Sequence, residues 1–389
     1  MRQVYLDHTS YTPLLPEVRE AMRLCQQDGS GNPSSLHRLG RKSAKSLDEA
    51  RERVAHLIAA KADEIIFTSC GTEANNFAIK GICAANEKKG KHVIVSAIEH
   101  FSVLYAARRL ERQGYRITRL SVDRNGLVNP NDLRQAITPE TVLVSIMHAN
   151  GEIGTVEPIR ELSSIAKEQG VLFHTDAVAS CGVIPVSVEE LGVDALTLAA
   201  DQFYGPVGAA ALYLRKGTKI IPLLDGGGQE EGKRSGTENL FSIIGMGRAA
   251  EMACVQMPER MRHLAGLRGR LIEGFLAVEG VTLNGHPLAR LPGHVSVSVA
   301  DVEGEALLLS LDMNGVFVGS GSACNSKAMK SSHVLQALGV PERLAQGTVV
   351  MSLGIENQKE DIDYVLDVFP EAVEKLRALK RNIVHQEVR

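Results

Sequence analysis

The 389-residue chain is bounded first by what it lacks. Its six cysteines, Cys25, Cys70, Cys83, Cys181, Cys254 and Cys324, include no C-x-x-C pair, which argues against a zinc ribbon or a thioredoxin-type motif. No apolar run reaches membrane-spanning length, and Met1-Arg2-Gln3-Val4-Tyr5 opens no apolar signal region. Neither sign of charge is in excess. The 43 basic and 46 acidic side chains leave a formal net charge of −3, so nothing points to a nucleic-acid or membrane partner. There is no internal repeat and no low-complexity stretch. Together these absences lead us to expect a soluble, cytoplasmic protein with reduced thiols.

What is present is ordinary globular material. The chain is 44% hydrophobic and 23% charged, with 36 glycines and 14 prolines, ample for a sizeable core. Its length suggests two or three domain-sized units. From Ser43, the residues Leu47, Ala50, Val54, Leu57 and Ile58 fall on one face at helical spacing. Short apolar runs then alternate with helical patterns. The candidate strands are 64–68, 92–96, 141–147, 171–175, 195–199 and 208–214, with helical stretches such as 73–85 and 162–169 between the early ones. Several of these runs are apolar almost throughout, as expected of strands buried on both faces of a mostly parallel sheet. Past Leu224-Asp225-Gly226-Gly227-Gly228 a long helical segment, about 241–278, precedes a smaller α/β unit with strands near 294–299, 316–318 and 348–353, and a last helix from about Lys359. This predicts a large domain over 15–255 and a small domain built from 1–14 and 256–389.

Four candidate strand ends carry polar residues in sequence order. They are Thr68-Ser69-Cys70-Gly71-Thr72-Glu73-Ala74-Asn75-Asn76, Ala97-Ile98-Glu99-His100, Met147-His148-Ala149-Asn150-Gly151-Glu152-Ile153-Gly154, and Phe173-His174-Thr175-Asp176-Ala177. The first, a Gly/Thr turn before a helix, can present backbone N–H groups to an anion, though alone it is equally an ordinary helix cap. In an open α/β sheet such ends converge on one crevice, so four together suggest a cofactor site.

With these motifs the chain resembles the cysteine desulfurases of the class V aminotransferase superfamily, pyridoxal-phosphate (PLP) enzymes of fold type I. The resemblance runs from Tyr5-Leu6-Asp7-His8 and Gly31-Asn32-Pro33-Ser34-Ser35-Leu36-His37 through Phe203-Tyr204-Gly205-Pro206 and Arg234-Ser235-Gly236-Thr237-Glu238-Asn239 to Ser320-Gly321-Ser322-Ala323-Cys324 and Ser352-Leu353-Gly354. It implies a large domain with a mostly parallel seven-stranded sheet covered by helices, a smaller α/β C-terminal domain, and a homodimer. It also implies roles. His100 would stack on the pyridine ring, Asp176 would pair with the ring nitrogen, and Asn150 would contact the ring hydroxyl or the substrate carboxylate. Gly71 and Thr72 would hold the phosphate, and Thr237 would reach the phosphate of the partner subunit. Cys324, in a Gly/Ser-rich stretch, would be the nucleophile that takes sulfur as a persulfide.

The departures from the family pattern concentrate on the chemistry. The family reads Ser-x-His-Lys before Phe-Tyr-Gly-Pro, whereas this chain reads Ala199-Ala200-Asp201-Gln202. The lysine forms the Schiff base and then moves the substrate proton, and an amide can do neither. Ala179 stands for a glutamine facing the cofactor, Cys70 for a glycine in the phosphate turn, and Gln229 and Glu231 for a histidine and an arginine. Ile355 and Val350 replace arginines, the first of which would grip the substrate carboxylate. A hydrogen bond to a charged group is worth about 1.5–3 kcal/mol, so the loss of such a clamp should weaken affinity at least about tenfold.

Three functions follow as alternatives. The chain could act in sulfur transfer or iron–sulfur assembly through Cys324, as a persulfide carrier or as a ligand to a cluster shared with a scaffold or sulfur-acceptor protein. It could bind PLP without a covalent bond. It could be a structural or regulatory subunit. Cys70 and Cys181 are expected to be small core residues, with a repurposed pocket or metal site made from Cys70, Cys181, His100 or Asp201 as the alternative.

Overall fold

The structure is a computed structural model and describes residues 2–27, 31–320 and 332–387, with the side chains of 382–387 left aside. Cys324 therefore lies outside the described residues. Among the described residues there are twelve strands: β1 Val4–Leu6, β2 Ile65–Thr68, β3 His92–Ser96, β4 Arg116–Leu120, β5 Thr141–Ser145, β6 Leu172–Asp176, β7 Ala195–Ala199, β8 Ala210–Leu214, β9 Val281–Leu283, β10 His294–Val299, β11 Val316–Val318 and β12 Thr348–Ser352.

Seven of them form one sheet in the order β2-β8-β7-β6-β5-β3-β4. The pairs β3·β4, β3·β5, β5·β6 and β6·β7 are parallel, and β8 runs against both β2 and β7. Strands β3, β5 and β7 are buried along their whole length, which is why they read as apolar almost throughout. Strand β4 is not among the strands expected from sequence. It is the sheet edge, with Arg116 and Arg119 exposed, so it has no apolar run to betray it. Helices Gly71–Ala85, Phe101–Glu111 and Ile159–Glu168 connect successive strands.

Helix Leu240–Leu276 links two cores. Its first half, through Met257, packs with Val54, Ile58 and Phe203. From Leu264 onward it packs with Val295, Val297 and Phe369. The second core lies on the antiparallel sheet β12-β10-β9 and the parallel pair β1·β11. The N-terminal strand thus belongs with the C-terminal elements. Asp7 continues from it to bridge Ser352 beside the large sheet's cleft. Gly354 permits this approach, since a Cβ there would overlap the His8 ring, whose Nδ1 lies 2.9 Å from the Ser352 carbonyl.

Candidate functional site

The carboxyl ends of β2, β3, β5, β6 and β7 open onto one cavity of about 540 Å³, at the position expected for a ligand in an open α/β sheet. The expected residues Gly71, Thr72, His100, Asn150 and Asp176 line it, as do Ala179, Ala199, Asp201, Gln202 and Val350. Asp7, Thr9, Ser332 and His333 close it from the small-domain side. Thr237 is exposed and is not among the lining residues, and Ile355 instead packs beside the large core with its N–H on the Tyr204 hydroxyl at 2.9 Å.

Asp176 sits on the cavity floor, 5% exposed. Burial raises its carboxyl above the ordinary carboxylate range, while the Val178 N–H (3.0 Å) and the Asn75 amide (2.6 Å) pull the other way. His100 is exposed and caps helix Phe101–Glu111, its Nδ1 accepting from the Ser102 N–H at 3.2 Å. Asn150 lines the cavity, but its amide is committed to its own loop and to the loop after β3. Its Nδ2 donates to the Ile98 carbonyl and lies 3.3 Å from Met147 Sδ, and its Oδ1 accepts from the Glu152 and Ile153 N–H groups.

At the other end, helix Gly71–Ala85 points its N-terminus at the cavity. Cys70 is not the core residue expected from sequence. As the helix N-cap, with extended backbone at φ −166°, it is turned outward, exposed and cavity-lining. Cys181 is buried and does not line the cavity, and burial pushes its thiol well up. Among the described residues no three His, Cys, Asp or Glu side chains are grouped to hold a metal. Asp201 is half-buried, its carboxyl raised by burial and opposed by hydrogen bonds that include one from Gln202.

Several polar residues of the site were not singled out from sequence. Glu99 is fully buried. It accepts from Ser96 Oγ (2.7 Å) and the Met147 N–H (2.8 Å), and burial pushes its carboxyl up to about 8. Glu152 is pushed up to about 8 for the same reason. Asn75 and Ser102 connect Asp176 to His100. Glu99 sits beside His100 in a motif already marked, and Asn75 one turn into the helix after Gly71; only their burial sets them apart. In the Gly-Gly-Gly segment, Glu230 buries a two-pronged ion pair with Arg51 (2.7 and 2.8 Å), while Glu231 pairs with Lys233.

The ring end of this cavity suits a pyridoxal group: an acid on the floor, an imidazole on the wall and helix N–H groups at one end. Among the described lining residues there is no lysine to form a Schiff base with it and no arginine to grip a carboxylate.

The class V aminotransferase profile matches residues 4–365. The chain is 52% identical to the cysteine desulfurase IscS of Dictyoglomus turgidum over 97% of this chain and 96% of that one. It is 49% identical to the cysteine desulfurase IscS of Methanosarcina thermophila, over 97% and 93% of the two chains. Among solved structures, a NifS-like protein superposes with a TM-score of 0.91 at 36% identity, covering 96% of this chain and all of that one (100%). The apo cysteine desulfurase of Thermococcus onnurineus superposes at 0.86 and 26% identity, over 96% and 95%. The chain therefore belongs to the cysteine desulfurase family of class V aminotransferases, with their α/β, PLP-type I fold.

Proposed function

We propose that this chain acts in sulfur transfer or iron–sulfur assembly through Cys324, and that it forms no covalent bond with pyridoxal phosphate. The observation that carries this reading is Gln202 on the cavity wall, with no lysine among the described lining residues. A persulfide donor would supply the sulfur. The Cys324 thiolate attacks the donor's outer sulfur, and the donor's thiolate leaves. The same thiolate could ligate a cluster held with a scaffold protein. The chain would work as a cytoplasmic homodimer, in which the exposed Thr237 and the exposed Ile221, Leu223 and Leu224 would meet the partner subunit. No helix among the described residues is long and apolar enough to cross a membrane.

Asp176 and the free helix N-terminus favour a second reading, in which the coenzyme is held non-covalently. Bound, it would supply an electron sink for a carbanion on cysteine. Asp176 would hold the ring nitrogen, His100 would cover one face, and Gly71 and Thr72 would offer N–H groups to the phosphate.

A visible spectrum of the protein as isolated, then with PLP, then with cysteine, tests both. We expect no coenzyme band on isolation and no adduct fixed by borohydride. A lysine-linked coenzyme in any sample would overturn the main reading. A band that appears with PLP and responds to cysteine, without borohydride fixation, would favour the second.

A further inference from the structure

We propose that Asn75 and Ser102 are positioning residues that hold His100 in a single tautomer, with the proton on Nε2 and a hydrogen-bond donor turned to the cavity. This rests on the proposed function only in treating the cavity as the ligand site.

One chain of contacts fixes where the protons lie. Asn75, 1% exposed, lies between Asp176 and Ser102. Its Nδ2 is 2.6 Å from Asp176 Oδ2 and 2.9 Å from Ser102 Oγ. An amide turned the other way would set its oxygen against the carboxylate, so Asp176 dictates that nitrogen faces both neighbours. Both Nδ2 hydrogens are thereby used, and Oδ1 is buried without a partner. Ser102 Oγ, accepting from Asn75, has its own hydrogen free, and His100 Nδ1 stands 2.7 Å away. The Ser102 N–H reaches the same Nδ1 at 3.2 Å. A nitrogen that receives two donors has no room for a proton of its own. The neutral imidazole must carry its hydrogen on Nε2.

The orphaned Asn75 Oδ1 is the cost of this direction, which the contact with the Asp176 carboxylate outweighs. An unsatisfied buried acceptor costs free energy, and the amide accepts that cost while committing both donors to one line. The consequence for the site is specific. Neutral His100 presents an N–H rather than a lone pair to whatever occupies the cavity, so a proton taken from a ligand must go to another group.

The test is a nitrogen-detected NMR spectrum of full-length protein carrying ring-labelled histidine, recorded without ligand near neutral pH. His100 would be assigned among the 12 histidines by its loss in His100→Gln. We expect the neutral ring of wild-type His100 to be wholly the Nε2–H form. In Ser102→Ala the ratio of the two forms should fall toward that of free histidine, because the shorter of the two donors is gone. Asn75→Ala should move it the same way by freeing the Ser102 hydroxyl to turn. An Nδ1–H or mixed wild-type ring would overturn the inference, as would two folded variants with the wild-type ratio. Should Asn75→Ala fail to fold, the wild-type ring and Ser102→Ala, which removes a single oxygen, still decide. A failure of PLP or cysteine to bind would count against the reading of the cavity and leave this result untouched.

Discussion

Glu99 Oε1 accepts a 2.8 Å hydrogen bond from the Met147 N–H, tying the loop after β3 to the loop after β5 directly beneath the cavity. The contact holds a carboxyl group with no exposed surface among the residues that line the cavity.

That placement makes stability depend on pH in a definite direction. Burial raises Glu99, Glu152 and Glu157 to about 8, above their unfolded values near 4.5. Between those values the native state binds more protons than the unfolded one, so the slope of unfolding free energy against pH is negative. The stability that protonation gives is complete below about pH 4.5 and is lost as pH rises through about 8. Urea unfolding at about pH 5, about pH 6.5 and about pH 8 should show this fall. Glu99→Gln, which keeps the acceptor for Met147 but cannot ionise, should make the fall shallower while Glu152 and Glu157 keep the rest of it. A variant with the wild-type slope would refute the assignment to Glu99.

Glu230 should be a stability residue rather than a ligand. Its side chain is 2% exposed, it pairs with Arg51, and it also accepts the Phe67 N–H at 2.9 Å. Removing one partner of a buried pair leaves the other charge uncompensated, at about 3–5 kcal/mol. Glu230→Ala should lower the unfolding free energy by about that amount. Chemical denaturation measures it, and a loss below about 1 kcal/mol would show that the pair is dispensable.

Position 202 can be tested by restoring an amine. Gln202→Lys should allow borohydride to fix PLP to the protein, seen as a mass increase on the peptide that contains residue 202, where the parent protein gives none. Cysteine turnover is expected to stay low, because Ala199, Asp201 and Ile355 are still in place.

Cys324 should take up sulfur from a small-molecule persulfide donor. Mass spectrometry after alkylation should find one added sulfur on that residue, reversed by a thiol reductant and absent in Cys324→Ser. Sulfur appearing instead on the cavity-lining Cys70 would redirect the chemistry to the helix N-cap.

The local pattern of residues was enough for most elements. The runs at 92–96, 195–199, 294–299 and 316–318 became strands with those same limits; burial on both faces makes 92–96 and 195–199 nearly continuous apolar runs, while 294–299 alternates valine with small polar residues. The start of the last helix at Lys359 was equally legible. The strand Arg116–Leu120 was not, since an edge strand needs no such run. Nor was the outward turn of Cys70, which depends on a cap geometry and not on the polarity of a thiol.

The sequence by itself determined the family and the absence of a lysine at position 202, because ordered motifs and the identity of a residue are local facts. Only the tertiary structure decided which side chains share the cavity and how they bond. Asn75, Ser102 and Asp176 come from three different elements, and Glu99 is set apart from any surface glutamate by the Ser96 and Met147 groups around it. Hydrogen-bond direction and desolvation belong to neighbours distant along the chain, so no pattern of adjacent residues could have contained them.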